Sequence, residues 1–312
     1  MILEQSEHII REVSKAFMGK DEIVRKVLMT FYAGGNILLE DCPGVGKTTL
    51  ALAFARSVDL KFRRVQFTPD TLPSDITGFT MYDRKSGELV YHPGAADCNL
   101  LLADEINRTS PKTQSALLEA MEEQKVTVDG VTHELPHPFI CIATQNPVGV
   151  AGTQALPESQ MDRFMVRLSI GYPSLENQVR ILKARKNSNP LDDIKPVTTI
   201  ENLSEVQNYL NSVRVNDDML YYIIRLCEQT REHPFVEMGL SPRCVYALTR
   251  MAKASALLNE RGYVVPEDVK EVFIDVCAHR LVLRPQARIE GMSAQSVLEE
   301  ILEHVKPEIT AK

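Results

Sequence analysis

The chain has 312 residues, 44% apolar and 25% charged, enough for a sizeable core in one large or two smaller domains. Its 35 basic and 42 acidic side chains give a net charge of −7, which argues against a sequence-independent nucleic-acid binder with a clustered basic face. Six scattered cysteines without a C-x-x-C pair point to neither a zinc site nor a disulfide framework and fit a reducing, cytoplasmic compartment. No leader is visible, and no apolar run approaches the ~20 residues of a membrane helix.

In chain order, residues 36–40 (NILLE) read as a buried strand. A glycine-rich turn follows in EDCPGVGKTT, and a helical pattern covers 48–57. Residues 62–68 alternate like a strand, and the cluster Lys61, Arg63 and Arg64 reads as a solvated strand edge. Residues 78–92 have strand-like flanks around Ser86-Gly87, which suggests a hairpin. Residues 99–103 (NLLLA) form another buried strand, ending at Asp104 and Glu105. A helix is expected over 110–123, with Ser110 as N-cap and Pro111 at the first helical position. Asp129-Gly130 marks a second hairpin over 125–135. Residues 139–144 (FICIAT) and 165–170 complete a mainly parallel α/β sheet covered on both faces. After Tyr172 the pattern becomes helical, over 175–185, 200–213, 217–231, 241–259, 266–281 and 294–305. Residues 1–172 therefore read as an α/β core with two hairpin insertions, and 173–312 as a separate helical domain.

Pro43, Gly44, Val45, Gly46, Lys47, Thr48 and Thr49 lie between a strand and a helix, the context of a phosphate-binding loop. Glycines let backbone N–H groups turn toward phosphate oxygens, and the new helix offers its positive end. Lys47 suits the β- and γ-phosphates of ATP; Thr48 and Asp104 suit Mg²⁺. Glu105, delivered to the other side of the strand tip, can orient and deprotonate a water. Asp41 stands where the strict motif has glycine, so its carboxylate is expected to point out of the loop. Asn146, at the tip of the fourth strand, can hydrogen-bond the attacking water or γ-phosphate.

These residues resemble an AAA+ ATPase, and more specifically the MoxR family. The resemblance is carried by VQFTPDTLPSDITG at 65–78, DEINR at 104–108, SALLEAM at 115–121, ATQNP at 143–147, LPESQMDRF at 156–164 and GLSPR at 239–243. It implies a P-loop core with a helical lid. It makes Asn146 sensor 1, Arg163 the arginine finger, and Arg243 a sensor 2 brought to the γ-phosphate by lid closure. Arg108 and Arg167 are rival fingers. Asn107 and Glu119 are candidates for relaying nucleotide state to the hairpins, and Tyr172 and Gly19-Lys20 for bordering adenine. The resemblance further implies a homo-oligomeric, hexameric ring that hydrolyses ATP to remodel or mature protein complexes, with a von Willebrand factor A-domain protein among candidate partners. The alternative is a DNA-acting AAA+ motor. The hairpin tips DRKSGE and DG are mixed or acidic, which disfavours nucleic acid.

Overall fold

In the computed structural model, which describes residues 2–146, 156–184 and 189–307, the continuous apolar runs become the centre of one sheet. Its strands are β1 (Ile37–Glu40), β2 (Phe62–Gln66), β5 (Leu100–Asp104), β8 (Ile140–Gln145) and β9 (Val166–Leu168). All pair in parallel in the order β2-β5-β8-β1-β9. Every residue of β5 and β8 is buried, as a strand covered on both faces requires. Edge strand β2 is only half covered. The intervening strands form two antiparallel hairpins, β3 (Phe79–Asp83) with β4 (Glu88–His92) and β6 (Lys125–Val128) with β7 (Val131–Glu134). Both occur where the turn residues place them, and Asp129 and Gly130 adopt φ of +51° and +79°.

Alternation along the strands divides the apolar core in two. Leu38, Leu101, Cys141 and Ala143 face the layer containing α4 (Pro73–Thr77) and α5 (Pro111–Glu123). Ile37, Leu39, Leu100 and Ile142 face the other layer, formed by α1 (Ile2–Ala16), α2 (Asp21–Ala33) and α3 (Lys47–Ser57). This second core runs without a break into the C-terminal helices, through Leu226, Leu248, Phe273 and Val297. The helical part thus shares its core with the sheet layer instead of resting on it as a loose lid. The C-cap of α2 is Gly34, with φ +68° and its N–H bonded to Phe31 O.

After the short α6 (Glu158–Met161) and β9, the chain forms α7 (Leu175–Ala184), α8 (Ile200–Tyr209), α9 (Asp217–Glu232), α10 (Pro242–Leu258), α11 (Pro266–Cys277), α12 (Pro285–Ile289) and α13 (Ala294–His304). These elements follow the expected helices closely. Short 3₁₀ turns end two of them at 210–212 and 278–280, and the two-stranded pair β10 (Val236–Met238) and β11 (Val282–Leu283) breaks the all-helical pattern. Ser241 and Ser110 cap α10 and α5 by accepting from Cys244 N and Thr113 N. Pro147 and Arg185 lie outside the described residues. Cys227, Cys244 and Cys277, far apart in sequence, are all free and buried, and the Cys244 and Cys277 sulfurs are 3.6 Å apart. Among the described residues, no helix is long and apolar enough to cross a membrane.

Candidate nucleotide site

The turn after β1 holds Gly44 at φ +87° and Gly46 at φ +101°, conformations that strain any residue with a Cβ. α3 starts at Lys47 with no side-chain cap, so its first N–H groups are left for an anion. The Lys47 ammonium donates to Asp41 O at 2.6 Å and Gln145 O at 3.3 Å, which places it between the loop and the end of β8. Burial pushes the Lys47 pKa below its ordinary value, and the carboxylates of Asp41, Asp104 and Glu105 oppose that shift. The Asp41 side chain turns away from the loop, accepting from the N–H groups of Ile170 and Gly171 and from Ser169 Oγ. A cavity of about 270 Å³ opens beside the turn, lined by Phe17, Lys20, Val45, Thr49, Tyr172 and Gln178 among others.

The two acids at the tip of β5 are held by different partners. Asp104 Oδ1 accepts from Thr144 Oγ1 at 2.6 Å, and Oδ2 accepts from Arg64 Nη2 at 2.6 Å. Arg64 is therefore more than a solvated edge residue: the neighbouring strand aims it at the acid. Lys61 and Arg63 pair with Asp97. Glu105 has φ +59°, a left-handed conformation rare outside glycine, which turns the chain sharply out of the strand. Its N–H is held by Thr144 Oγ1 at 2.9 Å. Glu105 Oε1 accepts from Asn146 Nδ2 at 3.0 Å, and Oε2 from Arg108 Nη1 at 2.8 Å. The Arg108 hydrogen bond holds the Glu105 carboxyl below its usual pKa; burial works against it, and Asn146 reinforces it. Asn107 is buried and donates to Asn146 O at 3.2 Å, whereas Glu119 is exposed.

Thr48 and Asp104 supply hard oxygen donors of the kind Mg²⁺ takes, and the Thr144 bond already fixes the orientation of the Asp104 carboxylate. The residues fit a magnesium–triphosphate ligand.

Two of the proposed functional arginines are elsewhere. Arg163 Nη1 lies 3.3 Å from Glu122 Oε2, and Arg243 Nη2 lies 2.5 Å from Glu122 Oε1. This carboxylate therefore bridges the pair. They line a cavity with Gly34, Asn36 and Met165, residues that precede β1 and β9, whereas Lys47, Glu105 and Asn146 follow β1, β5 and β8. The four residues of β1 alone separate the two ends by about 13 Å. In this structure Arg243 therefore sits with Arg163 at the end of β1 opposite Lys47, not over the phosphate loop. Arg108 is clamped to Glu105 and Arg167 to Glu40 at 2.9 Å, both within the chain.

Sequence reasoning overlooked Arg64, Thr144 and Glu122, together with the end of α1, whose Ala16 lines the nucleotide cavity. Arg64 reaches Asp104 because β2 pairs in parallel with β5, a neighbour relation that the local sequence does not carry.

Comparison with known proteins bears on the family and the fold. Residues 36–166 match the model of the ATPase family associated with various cellular activities (AAA), and residues 228–301 match the AAA lid domain. The chain is 37% identical to Chaperone MoxR1 of Mycobacterium tuberculosis, over 98% of this chain and 83% of that protein. It is 46% identical to the uncharacterized protein YeaC of Bacillus subtilis, over 95% and 93% of the two chains. The crystal structure of a candidate ATPase from Cytophaga hutchinsonii superposes with a TM-score of 0.90 at 36% identity, covering 98% of this chain and 96% of that one. A loop, strand-tip acids and lid in this order, with these relatives over nearly their full length, place the chain in the MoxR family of AAA+ ATPases.

Proposed function

We propose that the protein hydrolyses ATP in a ring of identical copies and uses the motion to remodel a protein client. The observation that carries this reading is the separation just described. Lys47, Glu105 and Asn146 gather at one end of the sheet, while Arg163 and Arg243 sit together at the other. A complete site then takes its arginines from a neighbouring copy, the head-to-tail arrangement that closes into a ring, here a hexamer.

Glu105 accepts a proton from the attacking water, and Asn146, already bonded to Glu105, orients both. Lys47 and the uncapped end of α3 hold the β- and γ-phosphates. Lys20 and Tyr172 border the adenine side of the cavity. Thr48 and Asp104 would hold Mg²⁺, which would neutralise charge on the phosphate oxygens. The neighbour's Arg163 and Arg243 stabilise charge developing on the transferred phosphoryl group.

The hairpins support a protein client. Phe79, Met81, Tyr82 and Leu89 are exposed on the first and Val131 on the second, a surface suited to apolar polypeptide. The hairpins are joined by Tyr91 and His133, stacked with ring centroids 3.7 Å apart. A link to the site runs through α5, whose Thr113 Oγ1 donates to Thr71 O at 2.8 Å, just ahead of α4 and the first hairpin. A von Willebrand factor A-domain protein is one candidate partner. Five buried, unpaired thiols suit a reducing cytoplasm.

Glu105→Gln tests the reading. The variant should retain ATP and lose at least about 10²-fold in turnover, the range for removal of a general base. Loaded with ATP in extract, it should hold a protein client. Wild-type turnover, or capture of DNA alone, would sink the corresponding half of the proposal.

A further inference from the structure

Helix α7 runs along the mouth of the nucleotide cavity, which Gln178, Ile181 and Leu182 help line, yet none of its residues is buried. Leu175, Val179 and Leu182 follow an i, i+4, i+7 spacing and form one apolar stripe. Their exposures are 80%, 45% and 71%. An amphipathic helix on a soluble monomer turns such a stripe inward, and an outward one marks an interaction surface.

The cavity points to the partner. Among the described residues lining it, Lys20 is the cationic side chain. The arginine pair at the other end of the sheet, Arg243 exposed and Arg163 half-buried, shares its own cavity with Tyr246, one turn along α10 from Arg243. Tyr246 is 62% exposed, with the Arg250 guanidinium 5.9 Å from its ring centroid. One end of the molecule therefore presents an apolar stripe beside a site for a polyanion. The other presents two arginines, bridged by Glu122 and so net cationic, beside an amphipathic ring. These surfaces complement each other in charge and polarity, and an exposed tyrosine is a favoured interface anchor.

We propose that the α7 stripe is the docking surface for the Arg163–Arg243–Tyr246 face of a second copy of this chain, with Tyr246 covering Leu175 and Val179. The inference rests on the ring reading and adds a surface outside the chemistry that the neighbour grips. Two full-length variants in the Glu105→Gln background test it with ATP present: Leu175→Glu/Val179→Glu, neither residue lining the cavity, and Tyr246→Glu.

Each should stay monomeric by light scattering at concentrations where the parent assembles, while binding a fluorescent ATP analogue within about twofold of the parent. Mixed, they should form heterodimers, because one intact pair of faces remains. A variant that loses the analogue is replaced by its serine counterpart, for which assembly about tenfold weaker is expected. Parent-like assembly of the α7 variant overturns the inference, as does a mixture that stays monomeric while both components bind the analogue. A parent that is itself monomeric with ATP refutes the ring reading instead.

Discussion

Glu105 carries more constraint than any other residue of the site. It sits in a left-handed turn, its N–H is tied to Thr144, and its two carboxylate oxygens are shared between Asn146 and Arg108. The Arg108 hydrogen bond holds its carboxyl below the ordinary glutamate range, so the acid limb of the pH–rate profile should lie lower than an unpartnered glutamate would set it. Removing the arginine takes away the main cause that lowers this pKa and leaves burial, which raises it. Arg108→Ala should therefore shift the limb to higher pH, measured as kcat/KM against pH; an unmoved limb would show that Arg108 does not set the protonation of Glu105. The residue types of this constellation were legible in the sequence because they cluster: glycines before Lys47, two acids at a strand tip, an amide after the next strand. Glu122 was not legible. Its partners Arg163 and Arg243 are distant in sequence, and only the fold brings one carboxylate between two guanidiniums.

At the scale of elements, α10 is set by its first turn. Ser241 caps the helix and also donates to Asp162 Oδ2 at 3.0 Å, and Arg280, almost fully buried, pairs with Asp162 Oδ1 at 2.7 Å. The same guanidinium donates to Phe164 O at 2.6 Å and Met165 O at 3.2 Å. Asp162 thus fastens two C-terminal helical segments to the residue preceding Arg163, which is why Arg243 and Arg163 meet. Arg280→Ala takes the cation from Asp162, which keeps only the Ser241 bond, and leaves the Phe164 and Met165 carbonyls without this donor; it should lower unfolding free energy by about 3–5 kcal/mol in denaturant titrations. A loss below about 1 kcal/mol would mean the anchor lies elsewhere. Strands and hairpins were readable because burial on both faces demands continuous apolar runs and Asp-Gly demands a turn. The N-terminal helices α1 and α2 were passed over, although Ile2, Ile9 and Val13 recur at helical spacing. Strand order was not written locally, and without it Arg64 could not be matched to Asp104.

For the whole molecule, the lid's shared core with α1–α3 fixes where the arginines point. A flexible lid could deliver Arg243 to its own nucleotide. A lid whose Leu248 and Phe273 continue the core of the sheet layer cannot do so without unpacking that core. On the proposed reading, hydrolysis is a property of adjacent copies, and turnover should fall on dilution even at saturating ATP. The most direct test mixes two inactive chains: Lys47→Ala, which cannot hold nucleotide but keeps its arginines, and Arg163→Ala/Arg243→Ala, which holds nucleotide but offers none. Each alone should be nearly silent, and the mixture should turn over ATP, because one partner's arginines reach the other's phosphates. Full turnover by the arginine variant alone, or a mixture that co-assembles and stays silent, would contradict the account.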